Sequence, residues 1–380
     1  MSTREDLVLP ASPRLFKSRP DLIELEQSTL GFYFSKMSSL SKILATLTER
    51  GLSRDIKSGG YTTMSEFLTA YCISIPNLTI APLQLLAKPL SSSSTSIEDL
   101  TKMASLADAF DSLSIEINCY IEMIGDILNN QLAQKPYDNL RDQENVTERV
   151  HALQAGKIGF LLDMPLDDIL ALLLHDIARP SINDAVHGHS NHCQEGSIIL
   201  APLGLTTDYA GYHALAKYLL NANDCCPPYK KLISPTSAFT LDIQTKLLQP
   251  QIDDLNNFDS PISAEFLFKI MFMRLIDDMS KVPESRLIQA CDGQKAEYFD
   301  NQTIQKMLTK QIITYLNNLA DQSDNKETIV EDVKKKIDSA LLLMLRARQY
   351  SANFVLYDKY HHLIDSLNAS DTPDKQTRPC

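Results

Sequence analysis

Tryptophan is absent from the 380 residues, and glycine is scarce at 12. A glycine-rich nucleotide-binding sheet and most barrel or sandwich folds need more glycine than that, which disfavours them. No apolar run is long enough to span a bilayer; a stretch such as Leu170 to Leu174 is far too short. The first nine residues carry Arg4, Glu5 and Asp6 and lack the apolar core of a signal peptide. Basic charge is also in short supply. The formal net charge of −12 repels anionic polymers and anionic bilayers, so neither nucleic acid nor a membrane is an expected partner. Seven cysteines at irregular spacing, with no C-x-x-C, fit a reduced, cytoplasmic compartment better than a disulfide framework.

What the chain has is apolar residues, 44% of the total, enough to bury a sizeable core. They recur at helical spacing, and alternating strand patterns are rare, which predicts an all-α fold. Helices are expected over 13–54 and 63–75, from Ile97 to about Leu132, near Ile304 to Ala320, and from Lys326 to Leu367. Between Val146 and Ala320 the helices are shorter and are punctuated by Pro165, Pro180, Pro227, Pro228, Pro250 and Pro261. The polar tract Ser91 to Ser96 is the best linker candidate. It divides the chain into a helical N-terminal extension at 1–92, a core at 93–320, and a C-terminal helix and tail at 321–380.

Histidine is concentrated. Six of the eight, His151, His175, His187, His189, His192 and His213, fall in one stretch. Neutral imidazole is the commonest metal ligand, although any single histidine can equally be a hydrogen-bonded core or surface residue. His175-Asp176 follows the apolar run Ile169 to Leu174, so a nitrogen and a carboxylate sit together at the end of a buried helix. An ionised Asp there is costly unless a cation pairs with it. His151 precedes this pair, and Asp277 follows another apolar helix, Phe266 to Ile276.

The ordered set His151, His175-Asp176, Asp277 resembles the metal motif of the HD-domain superfamily. The closer resemblance is to its mixed-valent di-iron oxygenases that degrade organophosphonates; myo-inositol oxygenase is a more distant relative. Further segments match in order over roughly 140–310. They are His192 to Gly196 leading to Ala201 to Gly204, His213 to Leu219, Ile233 to Gln244, and Met273 to Asp278 followed by Lys281-Val282-Pro283. The resemblance implies an HD-domain helical core with additional N- and C-terminal helices. It also implies six metal ligands, His151, His175, Asp176, His192, His213 and Asp277, holding two iron ions as a mixed-valent Fe(II)/Fe(III) pair. His187 and His189 compete with His192 for the third histidine position. His192 is chosen because the helix after it matches.

The same resemblance places Lys217, Arg274, Ser237, Thr240, Gln244 and Glu144 around a small anionic substrate, with O2 as co-substrate. Two Asp give −2 against about +5 for such an iron pair, and the excess favours an anion. Lys217 lies four residues past His213 and Arg274 three before Asp277, each on a shared helix face. Ser237 and Thr240 also read as ordinary turn chemistry, and Glu144 as a solvated charge. Some positions depart from the family. Arg179 stands where the phosphonate oxygenases have a histidine, Ala178 replaces a glycine, Arg141 stands near the place of an aromatic residue, and Ile276 replaces a tryptophan. Arg179 is three residues past Asp176 and reaches the same face if the helix persists, which Pro180 disfavours. Two other functions compete. One is an HD-type phosphohydrolase using manganese or another divalent metal and metal-bound water. The other is an interaction protein with a structural metal site, whose N-terminal region binds a protein partner.

Overall fold

The computed structural model describes residues 82–102, 113–133, 146–179, 188–222, 248, 264–322 and 325–348. The helices expected over 13–54 and 63–75 lie outside them, as do Arg141, Glu144, Ser237, Thr240, Gln244 and His187 and the side chain of His189. The described chain is all-α, with no sheet. Its helices are α1 (Pro82–Ala87), α2 (Ile97–Thr101), α3 (Ser114–Asp126), α4 (Glu148–Leu161), α5 (Leu166–Leu174) and α6 (Gly188–Leu200). They continue with α7 (Tyr209–Ala222), α8 (Ala264–Met279), α9 (Glu284–Ala290), α10 (Asn301–Gln322) and α11 (Lys326–Arg348).

Local chemistry sets several of these ends. Thr147 caps α4 by accepting from the Val150 backbone N–H, with Glu148 in the first turn. Pro165 immediately precedes α5, and Asp167 and Asp168 occupy its first turn. Asp168 is buried, accepts from Thr207 Oγ1 at 3.0 Å, and pairs with Lys269 at 2.7 Å, tying the start of α5 to α8. The stretch expected as one helix from Ile97 to Leu132 is broken. α2 ends at Thr101, the backbone leaves the helical region at Lys102 (ψ 112°), and α3 is a separate helix that begins at Ser114. Two helices burying residues against one core satisfy the same apolar periodicity as one long helix. After Asp126, α3 widens into a π-helical turn, Ile127–Gln131.

α4 and α5 form the inner pair. A Cβ on Gly156 would fall 3.2 Å from Leu173 Cβ, and one on Gly159 would fall 2.9 Å from Leu172 Cδ1. Their lack of side chains lets the two helices approach closely, which brings His151 and the end of α5 together. α7 and α8 pack on this pair and on each other, and α6 packs on α7. α10 and α11 lie against α3, and α11 also covers α6. Buried Tyr120 of α3 donates to the Ile199 carbonyl of α6 at 2.8 Å.

The Ser91–Ser96 tract is docked rather than loose. Leu90 is buried, its backbone N–H donates to Glu297, and Ser93 Oγ and the Thr95 backbone N–H both donate to Asp163. α1 buries Leu83, Leu85 and Leu86 against α4 and α9.

Candidate metal centre

α5 ends at Leu174, and His175 is its C-cap. The next turn tightens, with the Ile177 N–H bonding to the Leu174 carbonyl and the Arg179 N–H to that of Asp176. This turn points His175, Asp176 and Arg179 into the bundle. His151 comes from the first turns of α4, His192 from α6, His213 from α7, and Asp277 from the last turn of α8. All six expected ligands are at most 4% exposed.

Three of the histidines place Nδ1 against a backbone carbonyl, which favours the tautomer with the proton on Nδ1. His175 Nδ1–H donates to the Leu172 carbonyl and His213 Nδ1–H to that of Ala210, both at 2.8 Å. His151 Nδ1–H faces the Ser280 carbonyl at 3.1 Å, while Ser280 Oγ donates to the Asp277 carbonyl. In the neutral form each of these rings keeps its Nε2 lone pair toward the centre. The Nε2 atoms of His151 and His175 are 3.2 Å apart, and those of His192 and His213 are 2.8 Å apart. Two lone pairs facing at the first distance repel unless a proton or a metal cation lies between them. Bonds of about 2.1 Å meeting at a right angle leave neighbouring ligand nitrogens about 3 Å apart, so the spacing fits a shared metal.

The carboxylates complete this picture. Asp277 Oδ1 is 3.5 Å from His151 Nε2, and its Oδ2 is 3.6 Å from His175 Nε2. Asp176 Oδ2 is 3.2 Å from His175 Nε2, while its Oδ1 lies 3.5 Å from His192 Nε2 and 3.7 Å from His213 Nε2. His151, His175 and Asp277 thus form one buried group able to hold a metal ion, and His192, Cys193 and His213 form another.

Electrostatics leave Asp176 and Asp277 ionised and His151 and His213 neutral. Burial pushes the Asp176 carboxyl up, but the Arg179 guanidinium and His175 outweigh it and hold it well below the usual carboxylate range. Asp277 goes the same way, because Arg274 and Lys281 overcome the effect of burial. Burial pushes His151 down to about 3 and His213 down to about 4. His175 moves up: Asp176 and Asp277 overcome its burial, so the cluster attracts positive charge to this ring.

The expected substrate residues sit differently from a ring of open cations. Arg274 Nη1 pairs with Asp277 Oδ2 at 2.7 Å. Arg179 points inward, with Nε 3.1 Å from Asp176 Oδ1 and Nη1 2.6 Å from Glu148 Oε1. Lys217 is buried on α7, one turn past His213.

Five further residues belong to the centre. Lys281 pairs with Asp277 Oδ1 at 2.9 Å, and the Tyr209 hydroxyl donates to Oδ2 at 3.1 Å. Ser280 orients His151, Glu148 holds Arg179, and Cys193 Sγ approaches His213 Nε2 at 3.4 Å. The available signal was helical spacing, since Glu148, Tyr209 and Lys281 lie three or four residues from a ligand histidine or aspartate. Gln154 pins the loop after Asp277 to α4: its side chain donates to the Val282 carbonyl at 2.8 Å and accepts from the Val282 N–H at 3.0 Å. Among the described residues, no helix is long and apolar enough to cross a membrane. Comparison with protein-family models, curated proteins and solved structures finds no match to this chain.

Proposed function

We propose that this chain is an HD-type two-metal enzyme, an O2-dependent non-haem di-iron oxygenase acting on a small anionic, phosphonate-like substrate. The observation that carries the reading is the Asp176 carboxylate, whose two oxygens face separate imidazole pairs, Oδ2 toward His175 and Oδ1 toward His192 and His213. That is the disposition of a bridging ligand. In this reading His151, His175 and Asp277 hold one ion, His192 and His213 hold the other, and Asp176 serves both. When bound, an iron pair supplies one-electron chemistry with O2 and Lewis acidity toward substrate oxygens.

The chain's own residues bind, orient and exclude water. Arg274, Lys281 and Tyr209 hold both oxygens of Asp277, and Arg179 holds Asp176. Three acids (Glu148, Asp176 and Asp277) face three cations (Arg179, Arg274 and Lys281), so these six side chains balance one another before any metal is added. Metal cations then leave an excess of positive charge in a buried setting, with Lys217 nearby. A negatively charged substrate offsets it.

The test is to load the full chain with iron under reducing conditions and determine iron content, the paramagnetic signal of a mixed-valent pair, and O2 uptake with small phosphonates. Two irons per chain and phosphonate-dependent O2 uptake are expected. Anaerobic hydrolysis of phosphate esters with manganese would favour the phosphohydrolase instead. A chain that retains no metal would overturn both enzymatic readings and leave the interaction protein.

A further inference from the structure

The His192–His213 pair has a third neighbour that the proposed ligand set does not use. Cys193 Sγ lies 3.4 Å from His213 Nε2 and 3.7 Å from His192 Nε2, and the residue is 5% exposed. On the same two nitrogens converges Asp176 Oδ1, at 3.5 and 3.7 Å. That oxygen is buried and accepts no hydrogen bond, although the Arg179 guanidinium lies beside it. A metal held at about 2.1 Å by nitrogen and about 2.3 Å by sulfur, at a tetrahedral angle, separates the two donors by about 3.6 Å. Both sulfur–nitrogen distances fall near that value. The nitrogen–nitrogen distance of 2.8 Å is shorter than a tetrahedral edge, so the two rings must part slightly around an ion.

His192 and Cys193 are neighbours on α6, where successive side chains diverge by about 100°. They still meet because the long imidazole reaches back to the short thiol beside the helix. Simple packing would need only a small apolar group at 193. It gives no reason for a sulfur to share its position with two imidazole nitrogens and an ionised oxygen.

We propose that Cys193 is a thiolate ligand of the ion held by His192 and His213, completing with Asp176 a set of two nitrogens, one oxygen and one sulfur. The inference rests on the reading of these histidines as a metal site and deepens it. Binding breaks the S–H bond, releases its proton to solvent, and forms a sulfur–metal bond with no change of oxidation state. A sulfur donor makes this position select iron, cobalt or zinc over magnesium and manganese. The position formed by His151, His175 and Asp277 has no sulfur and lacks that bias.

Cobalt(II) added to the reduced full chain tests the idea by absorption spectroscopy, because only a bound thiolate gives intense sulfur-to-cobalt charge transfer in the near ultraviolet. The native chain should show that band. Cys193→Ser should lose it while keeping the weaker visible bands, and its cobalt affinity should fall about tenfold or more. A variant in which the other six cysteines are serine should retain the band, which decides the matter even if Cys193→Ser folds poorly. Cobalt bound without the band, or a band that survives in Cys193→Ser, overturns the thiolate assignment and leaves the metal site standing. A chain that binds no cobalt overturns both.

Discussion

Asp176 concentrates more of the proposed chemistry than any other side chain, because its two oxygens face different histidine pairs. Asp176→Ala should therefore lose both metals together, whereas His213→Ala should empty one position and spare the other. Metal content by elemental analysis separates the two outcomes, and two metals retained in Asp176→Ala would end the bridging assignment. Arg179 faces Asp176 and Glu148 in a buried setting, where breaking an ion pair costs about 3–5 kcal/mol. Arg179→Ala should show a loss of about that size in urea unfolding, and adding Glu148→Gln should recover part of it. Additive losses in the double variant would mean that the pair is not coupled.

Lys157 offers a pH test away from the metals. Its Nζ donates to the Leu86 carbonyl at 2.6 Å, and burial pulls the ammonium down to about 8. The folded chain then binds fewer protons than the unfolded one between pH 8 and roughly 10.4, so stability rises with pH across that window. Below the window, keeping the ammonium charged costs stability. Lys157→Met cannot titrate and should lose ground to the native chain as pH rises through this range, as followed by urea midpoints. A difference that does not vary with pH would mean Nζ is solvated.

At the scale of elements, the short 3-10 turn Ala201–Leu203 ends at Gly204, whose φ is +55°. A Cβ there would collide with the Tyr315 ring of α10. Gly204→Ala combines a left-handed backbone with overpacking and should cost about 2–4 kcal/mol. Thermal unfolding measures it, and a change below about 0.5 kcal/mol would refute this packing of α10.

The same scale explains what could be read from the chain beforehand. His175-Asp176 after an apolar helix, and Lys217, Arg274 and Asp277 at helical offsets, carry their relations within a few residues. Those relations survive into the structure. The Arg179–Glu148 pair spans 31 residues, and the docking of Ser93 on Asp163 spans 70, so no local pattern announces either. Polar composition made 91–96 look like a linker, yet those serines face an aspartate that accepts their hydrogen bonds. Local spacing placed Arg274 correctly on the face of Asp277. It could not tell an arginine committed to that carboxylate from one waiting for a substrate.

At the scale of the molecule, α11 presents Ile329, Val333, Ile337, Leu341 and Met344 as one buried stripe. Each such side chain contributes about 1.5–3 kcal/mol on burial, so the stripe rivals the usual total margin of about 5–15 kcal/mol. A chain stopped after Gln322 should lose its cooperative unfolding transition and bind dyes that report exposed apolar surface. An intact sharp transition would show that α11 is dispensable. Because α11 lies on α6, which carries His192, the site depends on a helix that begins more than a hundred residues later. On the ribosome, therefore, the histidines emerge well before the helix that settles them. The metal capture proposed for this pocket would then follow synthesis, and an ion supplied only at that point would not be trapped on a half-made chain.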